Sequence, residues 1–267
     1  MTPIKIMFLN PLGINNYDKF FADMARVYKY PSTEVHVTSL NPAAGLMTNL
    51  EYRTYEAIIT ADIIRATYQA AQEGFDAMII GCFYDTAFYD AREISGSMVV
   101  VAPCHASTKV ALTLANNFSI IVGQHKWVNQ MRSNVYEYGY GEKLMSFRDV
   151  DMNVVEFQQD HNCTRERLIS ASHKAITEDY AESLILGCTL ETGFYEELQS
   201  ELGVPVIDSS IASFKAAEHA ALMKQQCGWK PSRQWGSEAP PASEIAEFGL
   251  FSSPYEFGNR IILPSDK

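Results

Sequence analysis

Short apolar runs alternate with amphipathic stretches along most of this chain. Residues 4–9 (IKIMFL) are stopped by Asn10-Pro11-Leu12-Gly13. That length and those turn residues predict a buried parallel strand ending in a loop. Tyr17, Phe20, Phe21, Met24 and Val27 recur at helical spacing within residues 16–29. Residues 34–40 alternate as a second strand, 41–52 read as a loop, and 53–73 as a long helix ended by Gly74. Ala77–Ile80 is a wholly apolar strand. A helix at about 86–95 follows, then a strand at 98–102, then Pro103-Cys104-His105 and a helix carrying Ser107 and Lys109. The order restarts with a strand at 118–122, a helix at about 125–139, a strand at 153–157 and a helix at 164–179 capped by Asn162 or Thr164. It continues with a strand at 183–186, a further helix, a strand at 205–207, Asp208-Ser209-Ser210 and a helix to about 226. This alternation predicts an α/β protein with parallel sheets covered on both faces. Ligands of such sheets bind outside the C-terminal ends of the strands.

The pattern also repeats in detail. Gly81-Cys82-Phe83-Tyr84-Asp85-Thr86-Ala87-Phe88-Tyr89-Asp90 returns as Gly187-Cys188-Thr189-Leu190-Glu191-Thr192-Gly193-Phe194-Tyr195-Glu196, with both acidic positions kept acidic. At the same offset, Ala106-Ser107-Thr108-Lys109-Val110-Ala111 answers Ala212-Ser213-Phe214-Lys215-Ala216-Ala217. Self-similarity of this kind means two related halves. The expected division is a first lobe from residues 1–110 and 208–226, a second from 111–207, and an extension or arm from 227–267. The last segment places Phe248, Phe251, Tyr255 and Phe257 among Gly, Ser and Pro. Aromatics without periodicity suggest an arm laid over a surface, its own or that of a neighbour in a homo-oligomer.

Composition narrows the function classes. Of 267 residues, 47% are apolar and 20% charged, as in soluble globular proteins. The net charge of −11, with no Lys/Arg cluster, argues against nucleic-acid and anionic-membrane partners. No apolar run reaches bilayer-spanning length, and the segment from Met1 lacks a signal-peptide layout, so the expected compartment is the cytoplasm. The five cysteines (82, 104, 163, 188, 227) are odd in number and widely spaced. They form neither a disulfide framework nor a zinc pattern, and no metal site is expected.

Cys104, Cys163 and Cys227 read as small buried hydrophobes. Cys82 and Cys188 stand apart because each follows a Gly, read as allowing close approach of a ligand, and precedes a helix N-terminus that favours a thiolate. Two such thiols on related halves suit inversion of a carbon next to a carbonyl, with a base on one face and an acid on the other. Thr189 and the backbone N–H groups after each cysteine are candidate enolate donors. Ser107 and Ser213 are read as helix caps, with Ser107 also a ligand contact. Arg53 reads either as a partner for a ligand carboxylate or as a solvated charge at a helix start, beside a lid at Glu51, Tyr52 and Tyr55.

At these residues the chain resembles the aspartate/glutamate racemase superfamily, and more closely its hydantoin/allantoin racemase branch. The resemblance rests on GCFYDTAFYDAREI (81–94), LILGCTLETGFYEELQSELGVPVID (184–208) and LNP (9–11), and covers residues 1 to about 225. It implies two pseudo-symmetric Rossmann-like lobes with a ligand cleft between them, no cofactor, and Cys82 and Cys188 as opposed acid and base. It further implies that Asn10 lines the pocket and that Phe83, Tyr84, Thr189 and Leu190, the residues after the cysteines, help bind a small-molecule substrate. The chain departs from the hydantoin branch at Leu12-Gly13, where NPNT is expected. It departs again at Pro103-Cys104-His105-Ala106-Ser107, where Gly-Glu-Ala-like residues are expected. Gly187-Cys188-Thr189-Leu190-Glu191 is closer to the amino-acid racemases than to Gly-Cys-Ala-Gly-Met. Phe83 and Tyr84 favour a flat cyclic amide such as a hydantoin. A decarboxylase or cis–trans isomerase of the same fold, and a non-catalytic small-molecule-binding protein, remain the alternatives.

Overall fold

Six of the seven residues of β1 (Ile4–Asn10) are buried, as expected of a strand with a neighbour on each side and helices over both faces. The computed structural model describes residues 3–266. It consists of two units: residues up to Gly81, Thr86–Val101 and those from Phe214 onward form the first, and Cys82–Asp85 with Ala102–Ser213 the second.

In the first unit β1 lies between β2 (Thr33–Ser39) and β3 (Ala77–Ile80), with β4 (Val99–Val101) beyond β3, all parallel. The crossovers are α1 (Asp18–Tyr28), α2 (Arg53–Gln72) and α3 (Phe88–Ile94). Phe8 and Phe21 stack at 4.6 Å, and Val35, Ile59, Ile63 and Ile79 are fully buried in the same unit. In α1 the inward face is Phe21, Ala22, Met24 and Ala25, whereas Val27 is 73% exposed. Small alanines, invisible to a count of large hydrophobes, carry the packing there.

The second unit begins with α4 (Pro103–Leu114) and builds a parallel sheet in the order β6-β5-β7-β8 from β5 (Phe118–Val122), β6 (Leu144–Asp149), β7 (Leu184–Leu186) and β8 (Val206–Asp208). Its helices are α5 (Val128–Glu137), α6 (His161–Thr177) and α7 (Tyr195–Leu202), and α8 (Ser209–Cys227) follows β8 directly. The two sheets of parallel strands bear out the α/β reading.

Several boundaries differ from expectation. Residues 153–157 are no strand: Val154–Glu156 is a 3-10 turn closed by an Asn153–Glu156 capping box. The strand is instead β6, whose LMSFRD sequence mixes polar and apolar residues because it is an edge with only partial burial. Helix α6 starts earlier than 164 and is capped by Asp160, whose carboxylate accepts from the Cys163 N–H at 3.0 Å, so Asn162 and Thr164 lie inside it. Likewise α4 opens at Pro103, a residue suited to a first helical turn, and α8 opens at Ser209. Ser107 and Ser213 are therefore helix-interior residues and not caps; Ser213 Oγ donates to Ser210 O.

The segment after α8 covers the first unit. Arg233 donates to the Arg92 carbonyl, the Ser95 hydroxyl and the Gly96 carbonyl at the end of α3. Beyond the short α9 (Ala242–Glu247), Phe251 stacks on Tyr68 at 4.3 Å. Finally β9 (Asn259–Leu263) pairs antiparallel with β2, and Arg260 grips Glu73 at 2.6 and 3.1 Å. Among the described residues no helix is long and apolar enough to cross a membrane, and no group of three or more His, Cys, Asp or Glu is placed to hold a metal.

Candidate active site

Both sheets reverse their winding at equivalent places. β1 is followed in space by β2 on one side and β3 on the other, and β5 by β6 and β7 in the same way. Crevices at such switch points are where open α/β sheets take ligands. The strands that border them, β3 and β7, end at Ile80 and Leu186, and each is followed by Gly and then by Cys82 or Cys188.

The glycines have a different purpose from the one expected. Gly81 donates to Leu9 O at 2.8 Å and Gly187 to Ile121 O at 2.7 Å. A Cβ on Gly81 would lie 2.7 Å from the Phe8 ring and 2.9 Å from Leu9 O; one on Gly187 would lie 2.6 Å from Ile121 O. The missing side chains admit the neighbouring strand rather than a ligand. Each cysteine is thereby delivered from a tightly clamped backbone.

The helix N-termini also differ from expectation. After Cys82 the chain turns, with Asp85 at φ 52° and its N–H returned to Cys82 O at 3.0 Å, and α3 begins only at Phe88. Asp85 reaches instead to the start of α4, accepting from the N–H groups of Cys104 and His105 at 2.9 Å each and from the Tyr138 hydroxyl at 2.8 Å. The N-cap of α4 is Ala102, which has no side-chain acceptor, so a carboxylate from the cysteine turn takes that place. In the second half Asp208, the repeat partner of Ala102, caps α8 itself. It accepts from Ser210 N and Ile211 N and ties down Thr192 Oγ1 and Gly193 N, all at 3.0–3.1 Å.

Glu191, the repeat partner of Asp85, is thus released for another task. It turns back on the cysteine, accepting from the Cys188 N–H at 3.1 Å, and its own N–H faces the Cys188 side chain in a capping box. Glu191 is fully buried, and burial pushes its carboxyl well above the usual range, with the nearby Asp208 adding to the rise.

Cys82 is half-buried and Cys188 8% exposed, and both fall in the second unit. Phe83 and Tyr84 are buried beside Cys82, the Tyr84 carbonyl held by Asn134 Nδ2 at 2.7 Å. Thr189 and Leu190 follow Cys188 in a 3-10 turn. The Thr189 carbonyl accepts from Thr192 and Ser210, and the Leu190 carbonyl from Gln158 at 2.6 Å. Ser107 is fully buried in the same unit, its hydroxyl without a hydrogen bond among the described residues. Asn10 ends β1 in the first unit, 1% exposed. Arg53 is the exposed first residue of α2.

Sequence reasoning missed Asp85, Glu191 and Asp208 as organising groups, although the first two are the two copies of one acidic position kept in the repeat. Burial outweighs the three donors at Asp85 and raises its carboxyl from 3.8 to about 7. A raised carboxyl favours the folded state below its unfolded value, and that contribution is lost as pH climbs through about 7. Asp85→Asn is expected to remove up to roughly 4 kcal/mol of the stability change between about pH 4 and pH 7, measured by urea denaturation at both pH values.

Comparison with known proteins gives one consistent result. Residues 9–217 match the family model for Asp/Glu/hydantoin racemase. The hydantoin racemase of Paenarthrobacter aurescens is 30% identical over 239 residues, 88% of this chain and 98% of that protein. The hydantoin racemase of Pseudomonas sp. (strain NS671) is 30% identical over 186 residues, 70% and 74% of the two chains. Among solved structures, an allantoin racemase from Klebsiella pneumoniae superposes with a TM-score of 0.81 at 24% identity, covering 89% of this chain and 94% of that one, which is a likeness of fold.

Proposed function

We propose, for a chain that belongs to the Asp/Glu/hydantoin racemase family and is an isomerase of the racemase class, that Cys82 and Cys188 invert a carbon next to a carbonyl in a hydantoin-like cyclic amide. The observation that carries this reading is the equivalent setting of the two thiols. Each follows a glycine clamped against the neighbouring strand, at the switch point of its own sheet.

In the reaction, the thiolate of one cysteine takes the α-proton and the electron pair moves onto the adjacent carbonyl as an enolate. The thiol of the other returns a proton to the opposite face, so the first cysteine ends as thiol and the second as thiolate. The opposite enantiomer runs the same steps in reverse. One proton leaves and one arrives, so no redox or group-carrying cofactor takes part. Thiols titrate close enough to neutral pH for both roles. The Thr189 hydroxyl is a donor to the enolate, while Asn10, Phe83, Tyr84, Ser107 and Leu190 shape the substrate site. The hydantoin racemases among the relatives support the cyclic-amide class. A decarboxylase needs a single protonating thiol, and the repeated cysteine setting weighs against it.

The test follows an enantiopure 5-substituted hydantoin in D2O by polarimetry and proton NMR. The expected result is loss of optical rotation with one solvent deuteron at the stereocentre per inversion. Inversion without deuterium wash-in overturns the mechanism; inversion of free amino acids but of no hydantoin overturns the substrate class.

A further inference from the structure

Asn10, Ser39 and Asn259 occupy one rung of the first sheet, since Asn10 pairs with Ser39 and Ser39 with Asn259. Residues on one rung point to the same face, and two strand spacings separate the outer pair by about 10 Å, too far for direct contact. Asp18, the first residue of α1 and fully buried, spans that gap. Its Oδ1 accepts from Asn10 Nδ2 at 2.8 Å and its Oδ2 from Asn259 Nδ2 at 3.0 Å. The second Asn10 amide proton goes to the Ile14 carbonyl at 3.0 Å. A carbonyl oxygen accepts only, so the amide nitrogen of Asn10 faces Ile14 O, the amide has one orientation and both its N–H bonds are used. Its Oδ1 takes no hydrogen bond among the described residues.

The segment that brings Asn259 here is closely fitted. Gly258 donates to Ser39 O at 3.1 Å, and a Cβ at Gly258 would lie 2.4 Å from Leu40 O. Asn41 donates from its backbone to the Tyr255 hydroxyl and from its side chain to Glu256 O, both at 2.9 Å.

We infer that Asp18 and Asn259 are positioning residues which lock the Asn10 amide so that it offers the ligand an acceptor alone, selecting substrates that present an N–H there. The inference rests on the proposed place of Asn10 in the substrate site. An amide or ureido N–H satisfies the Asn10 carbonyl oxygen; an ester oxygen or an N-alkyl group leaves it bare, which a site built to receive an N–H rejects.

The experiment compares a 5-substituted hydantoin with its two N-methyl derivatives in the wild type, Asp18→Asn and Asn259→Ala. In the wild type, methylation at one ring nitrogen is expected to lower kcat/KM at least ~10-fold. Asp18→Asn loosens the hold on the Asn10 amide by replacing one of its two acceptors with a group that also donates, and is expected to shrink that preference about fivefold or more, with Asn259→Ala shifting it in the same direction. Equal losses on all three compounds mean a merely structural role and overturn the inference. A second readout needs no substrate: hydrogen exchange of the Asn10 side-chain amide, followed by 15N NMR, is expected to be slow in the wild type and faster in both variants. Unchanged exchange overturns the lock. Failure of the wild type to invert any hydantoin counts against the proposed function, and the exchange measurement then still decides for or against the lock.

Discussion

Cys82→Ser and Cys188→Ser are each expected to lower kcat for inversion about 10³-fold, within the range of a lost general acid or base. A serine hydroxyl is not ionised near neutral pH, so the group that removes the α-proton is gone for one enantiomer and the group that returns it is gone for the other. The two variants therefore differ in kind. With one thiol left, each is expected to exchange the α-proton of a single enantiomer in D2O, and the two variants to choose opposite ones. The substitution exchanges one small side chain for another at positions whose backbone is held by Gly81 and Gly187, so thermal unfolding should stay close to the wild type. Unaffected exchange of both enantiomers in either variant removes that thiol from the mechanism.

Asp208→Ala is expected to be the most destabilising single change at the site. The carboxylate is buried and receives four hydrogen bonds, two from the first turn of α8 and two from Thr192 and Gly193 in the segment after Cys188. Truncation leaves the buried Ser210 N–H and the partly covered Gly193 and Ile211 N–H groups without this acceptor, and leaves Thr192 Oγ1 only the Thr189 carbonyl. A loss of roughly 3–5 kcal/mol follows from the cost of breaking such a buried charged group's contacts. Differential scanning calorimetry should show it as a lower Tm, by roughly 6–20 °C at 2–4 °C per kcal/mol. Asp208→Asn keeps one oxygen acceptor and should fall between the two; a Tm equal to the wild type for Asp208→Ala would show that the four contacts contribute nothing net.

Most of the architecture was legible in the chain because its strands are buried on both faces and therefore spell continuous apolar runs. β3, β5 and β7 stand almost where periodicity put them. β6 was misplaced because an edge strand needs no such run, and β9 was missed because NRIIL lies far from other apolar segments and pairs only with β2. Helices begin before the Ser, Thr or Asn that marks them in the sequence where the cap is a carboxylate, as with Asp160 and Asp208. At the site, the cysteines announced themselves by repetition. The acids beside them were visible too, at positions 85 and 191, but their unequal use was not. It depends on Ala102 in one half against Asp208 in the other, and only three-dimensional proximity relates those positions to the cysteine turns.

The pairing of β2 with β9 has a consequence for how the molecule is assembled. Ser39 and Asn259 meet across an intervening chain that includes the whole of the second unit. Closing a contact over so long a separation is entropically costly and kinetically late, unless the stretch between is already condensed. The second sheet, whose strands lie within one continuous stretch, is therefore expected to mature first, and the outer strand to zip onto β2 afterwards. The side chain at Asn10 would then acquire its final orientation at the close of folding, so that competence for chemistry reports completion of the fold.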